Sequence, residues 1–191
     1  MYEDLIEKKV SSEAIFDGVL LHVKRDTVEL PNGKEATREW IKHPGASSVI
    51  PILPDGRIIL VRQYRYPIGE VTLEVPAGKL DAPDEDPLVC AERELSEETG
   101  LTAGRMQYLG ANFTSPGYSE EVLHIYLARD LHRGAAHLDP GEFLNVERHP
   151  LEELVQMALD GELCDGKTTV ALLKTQLLLA RERGEAASGG L

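Results

Sequence analysis

Residues 78–101 read GKLDAPDEDPLVCAERELSEETGL, and their spacing predicts a helix over the middle of the stretch. Asp86 suits its N-cap, Pro87 its first turn, and Gly100 the left-handed position that ends it. Between these caps Leu88, Ala91 and Leu95 recur at i, i+3 and i+7 and should face a core. Glu94 and Glu98 are four residues apart and stack on another side, with Glu97 beside them. Three carboxylates this close repel one another and disfavour the isolated helix. A hard divalent cation would relieve that cost, because Mg²⁺ takes oxygen ligands and binds through one or two carboxylates plus phosphate oxygens. On the carboxylates alone, a solvated acidic face is the simpler account.

The whole chain narrows the choice. Its 191 residues suit one main domain with a small appendage, and 42% hydrophobic content argues for a folded protein. A formal charge of −13 argues against a nucleic-acid or anionic-membrane surface. It leaves room for a phosphate-bearing small ligand, since a bound cation inverts the local field. Cys90 and Cys164 form no CxxC pair. A disulfide framework or thiolate zinc site is therefore not expected, and a reducing cytoplasm fits. The start, MYEDLIEKKV, lacks the apolar run of a signal peptide, and no stretch reaches transmembrane length.

The order of residues from Arg93 to Leu101, RELSEETGL, resembles the core of the Nudix box, the catalytic signature of the Nudix hydrolases. Gly78 corresponds to its opening glycine. Glu85 corresponds to its first glutamate, although six residues separate the two where the usual pattern has five. Asp84 holds the literal spacing; Glu85 keeps the usual seven-residue distance to Arg93. The resemblance implies a Nudix α/β/α sandwich with a mixed β-sheet over residues 44–191, preceded by a small antiparallel sheet over residues 1–43. The series of strands around one carboxylate helix, with two amphipathic helices near the C-terminus, points the same way. The resemblance also implies two or more Mg²⁺ ions, or Mn²⁺, held by Glu94, Glu98, Glu97 and the backbone carbonyl of Ala77, with Glu74 close by. Arg93 either pairs with Glu97 along the helix or reaches back to orient Glu85.

In the first segment, Ile15-Phe16, Val19–Val23 and Arg25–Leu30 read as strand material, and Ala36–Lys42 as a return strand. Pro31-Asn32-Gly33 predicts a tight type I′ turn between them. So few strands cannot bury their own apolar face. In the ADP-ribose pyrophosphatases, the Nudix branch this sequence resembles, such a sheet is exchanged across a homodimer. Arg38 and Glu39 there match a pair that reaches into the partner's nucleoside pocket. Trp40 reads as a packing residue in that interface. Further on, Ser48–Leu53 and Arg57–Gln63 form a hairpin. Arg65 just beyond it is the candidate for a phosphate, because a guanidinium fork suits two phosphate oxygens; an ion pair with a nearby acid is the structural alternative.

Met106–Gly110 reads as a short strand, then Asn112–Ser119, NFTSPGYS, as a turn. Pro116 lies sixteen residues beyond Gly100, the placement that marks the ADP-ribose branch, and Tyr118 could stack on a base. Glu121–Ala128 reads as a strand covered on both faces, so His124 is a sheet residue rather than a metal ligand. Asp130–Gly141 is irregular and polar. A loop carboxylate beside a metal cluster is a natural general base, and the resemblance points to Glu142, with Asp139 as its rival. Helices beginning at Pro150 and Thr168 are assigned to packing. The reading that results is metal-dependent cleavage of ADP-ribose to AMP and ribose 5-phosphate by a cytoplasmic homodimer. The residues alone allow another nucleoside diphosphate derivative (nucleotide sugar, dinucleotide or flavin cofactor) or a non-catalytic ADP-ribose-binding module. A merely structural acidic protein leaves the carboxylate stack unexplained.

Overall fold

The computed structural model describes residues 2–82, 84–134 and 143–184. Its contacts divide the chain into two units, Met1–Gly45 with Phe113–Val122, and Ala46–Asn112 with Leu123–Leu191. The first unit thus takes in a segment remote in sequence that no local pattern assigns to it.

The first unit is built on an antiparallel sheet in the order β1-β2-β3, from β1 (Lys8–Asp17), β2 (His22–Glu29) and β3 (Glu35–Lys42). Two local expectations need correction. Val19–Leu21 is a turn rather than strand, closed by the Gly18 N–H donating to the Leu21 carbonyl at 2.9 Å, so Asp17 pairs with His22. The second turn is not type I′, which needs positive φ at both central residues. Only Gly33 has it (φ 79°), while the Gly33 N–H donates to Leu30 O and the Leu30 N–H to Lys34 O. Pro31 therefore occupies the first position of a type I turn, which its fixed φ suits, and Gly33 supplies the left-handed bulge residue that completes a three-residue loop. Leu53-Pro54-Asp55-Gly56-Arg57 repeats the same device in the second unit, with Gly56 at φ 84°.

Segment 113–122 is stitched to the end of β3. Ile41 N–H donates to Tyr118 O at 2.8 Å, Glu120 N–H to Ile41 O at 3.2 Å, and His43 N–H to Glu120 Oε1 at 3.2 Å. The Ser115 carbonyl accepts from both Tyr118 and Ser119, which makes the segment a closed turn.

The second unit holds two sheets and three helices. Strands β4 (Ala46–Pro51), β7 (Ala77–Lys79), β8 (Leu101–Phe113) and β9 (Val122–Arg133) form a mixed sheet in the order β7-β4-β9-β8, with β4 and β9 parallel. Strands β5 (Arg57–Arg65), β6 (Glu70–Glu74) and β10 (Leu144–Pro150) form an antiparallel one in the order β10-β5-β6. Helices α1 (Pro87–Thr99), α2 (Leu151–Leu159) and α3 (Gly166–Glu182) complete it. The period of two in β4 and β9 splits the core. Val49, Tyr126 and Ala128 pack with Ala91 and Leu95 of α1, whereas Ile50, Ile125 and Leu127 pack with Leu151, Leu154 and Leu172 of the other helices. This is the expected sandwich. Strands β8 and β9 run longer than their sequence pattern predicts, and β9 claims residues 130–133 of the stretch read as irregular.

Helix α1 ends where expected. The Asp86 carboxylate accepts from Leu88 N–H at 2.8 Å, Pro87 fills the first position, and Gly100 closes the helix at φ 68°. Among the described residues no helix is long and apolar enough to cross a membrane. Asp86→Ala should lower the unfolding free energy by about 1 kcal/mol, read as a fall in the urea midpoint at unchanged m-value. An unmoved midpoint would show that the cap contributes nothing.

Candidate active site

Helix α1 packs on β4 and β7, and this contact brings the box residues together. Gly78 lies in β7 against Glu94: a Cβ built at Gly78 would sit 1.9 Å from Glu94 Oε1. Only glycine allows that approach. Beside it, the Ala77 N–H donates to Glu98 Oε2 at 3.3 Å, and Glu98 is 5% exposed although it is ionisable.

Arg93 supplies the counter-charge. Its Nη1 donates to Glu94 Oε1 at 2.7 Å and to Glu97 Oε2 at 3.0 Å, and Nη2 donates to Lys79 O at 3.0 Å. Its Nε faces Asp81 and Glu85 at 3.5 and 3.6 Å without a hydrogen bond. Both expected geometries, along the helix and back to Glu85, occur together. Of Glu85 and Asp84 it is Glu85 that faces Arg93, and it also accepts from the Asp81 N–H at 2.6 Å. Burial opposes the Arg93 charge, but Glu94 and the other neighbours outweigh it and raise its pKa.

The donors gathered here are all oxygens: the carboxylates of Glu94, Glu97 and Glu98, next to the Ala77 backbone. That chemistry fits a hard divalent cation. Among the described residues no three acidic, His or Cys side chains converge as a ready-made metal cage. Mg²⁺ does not require one, since it keeps several waters and completes its shell with substrate phosphates.

A second charged group surrounds Glu74, which is 1% exposed. Arg65 forks onto it, Nε to Oε1 at 2.7 Å and Nη2 to Oε2 at 2.6 Å. Lys167 Nζ donates to Oε2 and the Thr72 hydroxyl to Oε1. Burial alone would raise the Glu74 pKa, but Arg65, Lys167 and Thr72 together pull it down to about 2. Arg65 thus makes the ion pair that was the alternative to a phosphate contact, and it feels the charge of Glu98 as well.

In the first unit, Arg38, Glu39, Pro116 and Tyr118 line one cavity of about 460 Å³. Sequence reasoning missed three of its other walls, Trp40, Phe113 and Glu120. The signal for Trp40 was its place beside the Arg38-Glu39 pair. Arg38 forks onto Glu7, and Glu39 accepts from Arg25 at 2.7 Å. His124 has no part in either group. Burial lowers its pKa, and its Nδ1 lies 3.1 Å from the Tyr108 hydroxyl, as suits a sheet residue. Glu142 and Asp139, the candidates for the base, lie outside the described residues.

A carboxylate helix packed on a glycine strand in a mixed sandwich defines a Nudix domain, and the comparisons agree. The NUDIX domain model matches residues 42–172, and the model of a nucleoside diphosphate sugar hydrolase N-terminal domain matches residues 7–41. The chain belongs to the Nudix hydrolase family. It is 40% identical to the ADP-ribose pyrophosphatase of Bacillus subtilis (strain 168), over 92% of this chain and 95% of that one. It is 42% identical to the methanol dehydrogenase activator of Bacillus methanolicus, over 90% and 93% respectively. A solved ADP compounds hydrolase shares the fold at a TM-score of 0.82, covering 95% of this chain and 98% of its own, at 24% identity.

Glu74→Gln should destabilise the protein by about 3 kcal/mol at pH 7, because Arg65 and Lys167 lose their shared counter-charge; the half-buried position of Arg65 keeps the figure at the low end. The folded-state pKa lies below the ordinary value of 4.5. The stabilisation is therefore complete above that pH and disappears as pH falls through about 2. Urea unfolding of both proteins at pH 7 and pH 3 should show the gap shrinking; a constant gap would deny the charge account.

Proposed function

We propose that this protein hydrolyses the pyrophosphate of ADP-ribose to AMP and ribose 5-phosphate, with Mg²⁺ or Mn²⁺ as cofactor and two or more ions per site. The observation that carries the reading is the placement of the box carboxylates at β7: Glu94 lies against Gly78 and shares Arg93 with Glu97, while Glu98 accepts from the Ala77 N–H. The 40% identity to the ADP-ribose pyrophosphatase of Bacillus subtilis supports the choice of substrate.

The reaction adds water to one phosphorus and breaks its bond to the bridging oxygen, which leaves with the other phosphate. Divalent ions on Glu94, Glu98, Glu97 and the Ala77 carbonyl would acidify the water and offset the charge of the diphosphate. Arg93 fixes the carboxylates and keeps their repulsion from splaying the helix face. Arg65 takes phosphate oxygens with the part of its guanidinium that Glu74 leaves over. Glu142 accepts the proton of the attacking water, with Asp139 as the rival base. The cavity of Arg38, Glu39, Pro116 and Tyr118 receives the nucleoside, its aromatic wall stacking on the base.

Two copies of the chain form the working enzyme, joined through residues 1–43. All ten residues of β1 are exposed, Val10, Ile15 and Phe16 among them, which leaves apolar surface for a partner to cover. Cys90 and Cys164 are free thiols, in keeping with a cytoplasmic setting. A second reading, a nucleotide sugar as substrate, is favoured by the match of residues 7–41 to the sugar-hydrolase domain.

Incubation with ADP-ribose, GDP-mannose, FAD and a dinucleotide in Mg²⁺, with products identified by mass, should give AMP and ribose 5-phosphate from ADP-ribose fastest. Chelation should abolish turnover, and Glu98→Gln should lower it by orders of magnitude while the fold is kept. Glu142→Gln should cut the single-turnover rate about 10²–10⁴-fold with Mg²⁺ binding preserved. If Asp139→Asn shows that loss instead, the base is misassigned; absence of AMP would overturn the substrate. Sedimentation at micromolar concentration should give twice 21.1 kDa, and a clean monomer would rule out the shared first unit.

A further inference from the structure

Helix α3 begins with a residue that helix physics does not favour there. Lys167 sits in the first turn, where the positive end of the helix dipole repels a cation. Its side chain is only 16% exposed, and its Nζ donates to Glu74 and lies 3.1 Å from Asp165 Oδ1. The neighbouring residue makes the placement firm. Thr168 Oγ1 accepts from the buried Val75 N–H at 2.8 Å and donates to Asp165, the helix cap. The first turn of α3 is thereby bolted to the backbone just after Glu74, and two residues further along that backbone lies Ala77.

We infer that Lys167 is a positioning residue for diphosphate hydrolysis, sharing Glu74 with Arg65 so that the Arg65 fork stays oriented and electrostatically available to phosphate. The inference rests on the proposed role of Arg65. Arg65 meets Glu74 through Nε and Nη2, and among the described residues its Nη1 makes no hydrogen bond. A guanidinium has five N–H donors, so one edge is anchored and the other remains for an incoming oxyanion. Arg65, Lys167, Glu74 and Asp165 sum to zero formal charge. Without the lysine the sum is −1, beside a site that must accept an anion. Glu74 would then also lose its second cation, and Arg65 would be drawn further into the pair.

The test is Lys167→Met, with Lys167→Arg as the charge-conserving control and Lys167→Gln in reserve should the Met variant fold poorly. Affinity for a non-hydrolysable α,β-methylene analogue of ADP-ribose is measured by calorimetry beside KM and kcat for ADP-ribose. Loss of the charge should raise the analogue's Kd and KM about tenfold or more, on the scale of one charge-assisted hydrogen bond. The kcat should change by less than about threefold, because the contact acts on ground state and transition state alike. Lys167→Arg should recover most of the affinity. A Kd and KM unchanged in the Met and Gln variants, with only Tm lowered, would overturn the inference and leave Lys167 a structural residue. A wild-type chain that neither binds the analogue nor releases AMP would instead be a failure of the functional reading itself. In that event the Arg65 Nε–H resonance, shifted or unshifted by Lys167→Met, still decides whether Lys167 orients Arg65.

Discussion

Glu94 can lie against the backbone of β7 only because residue 78 has no side chain, and much of the site depends on that approach. It lets α1 settle onto the strand that carries Ala77, with Leu95 and Ala91 buried on one face and Glu98 almost buried on another. Carboxylates enclosed in this way must be hydrogen-bonded or neutralised. Arg93 meets that demand by touching Glu94, Glu97 and the Lys79 carbonyl at once. A lysine would keep the charge and lose the planar fork that reaches several acceptors together.

The second charged group ties distant parts of the chain to the end of β6, just ahead of β7. Glu74 ends β6, Arg65 ends β5, and Lys167 opens α3, so one buried carboxylate joins the hairpin to the last helix. Such a pairing is weak evidence of stability, since burying the charges offsets most of their attraction. What it does provide is geometry: the Arg65 guanidinium is held at two points, and the backbone leading to Ala77 is held at a third.

How much of this the sequence revealed follows from the range of the interactions. The box helix was legible to the residue, because Asp86, Pro87 and Gly100 act locally and the Leu88-Ala91-Leu95 stripe has helical period. The cavity walls Arg38, Glu39, Pro116 and Tyr118 were legible only through family resemblance; no spacing relates residue 38 to residue 118. The burial of Glu98 was hidden, since the same pattern describes a solvated face. Lys167 stays hidden because the apolar stripe starts the last helix at Thr168 and leaves the lysine in the loop before it, whereas the Asp165 cap starts the helix at Gly166. Of strand β1 only Ile15-Phe16 was legible, because all its residues are exposed and the stretch before them carries no apolar alternation.

The two matching turns bear on how the protein ages. An asparagine followed by glycine is prone to lose its amide in water, by attack of the next backbone nitrogen on the side chain, and Asn32-Gly33 is such a pair. The turn at Asp55-Gly56 shows what the simple aspartate product would do at the same position. Asp55 Oδ1 accepts from the Arg57 N–H at 3.1 Å, just as Asn32 Oδ1 accepts from the Lys34 N–H at 3.0 Å. Aspartate at residue 32 would keep that bond and gain the attraction of Lys34. The isoaspartate product is another matter, because it lengthens the backbone by one methylene within a loop of three residues. Slow chemical damage at this turn would therefore be silent by one branch of the reaction and would misalign β2 and β3 by the other.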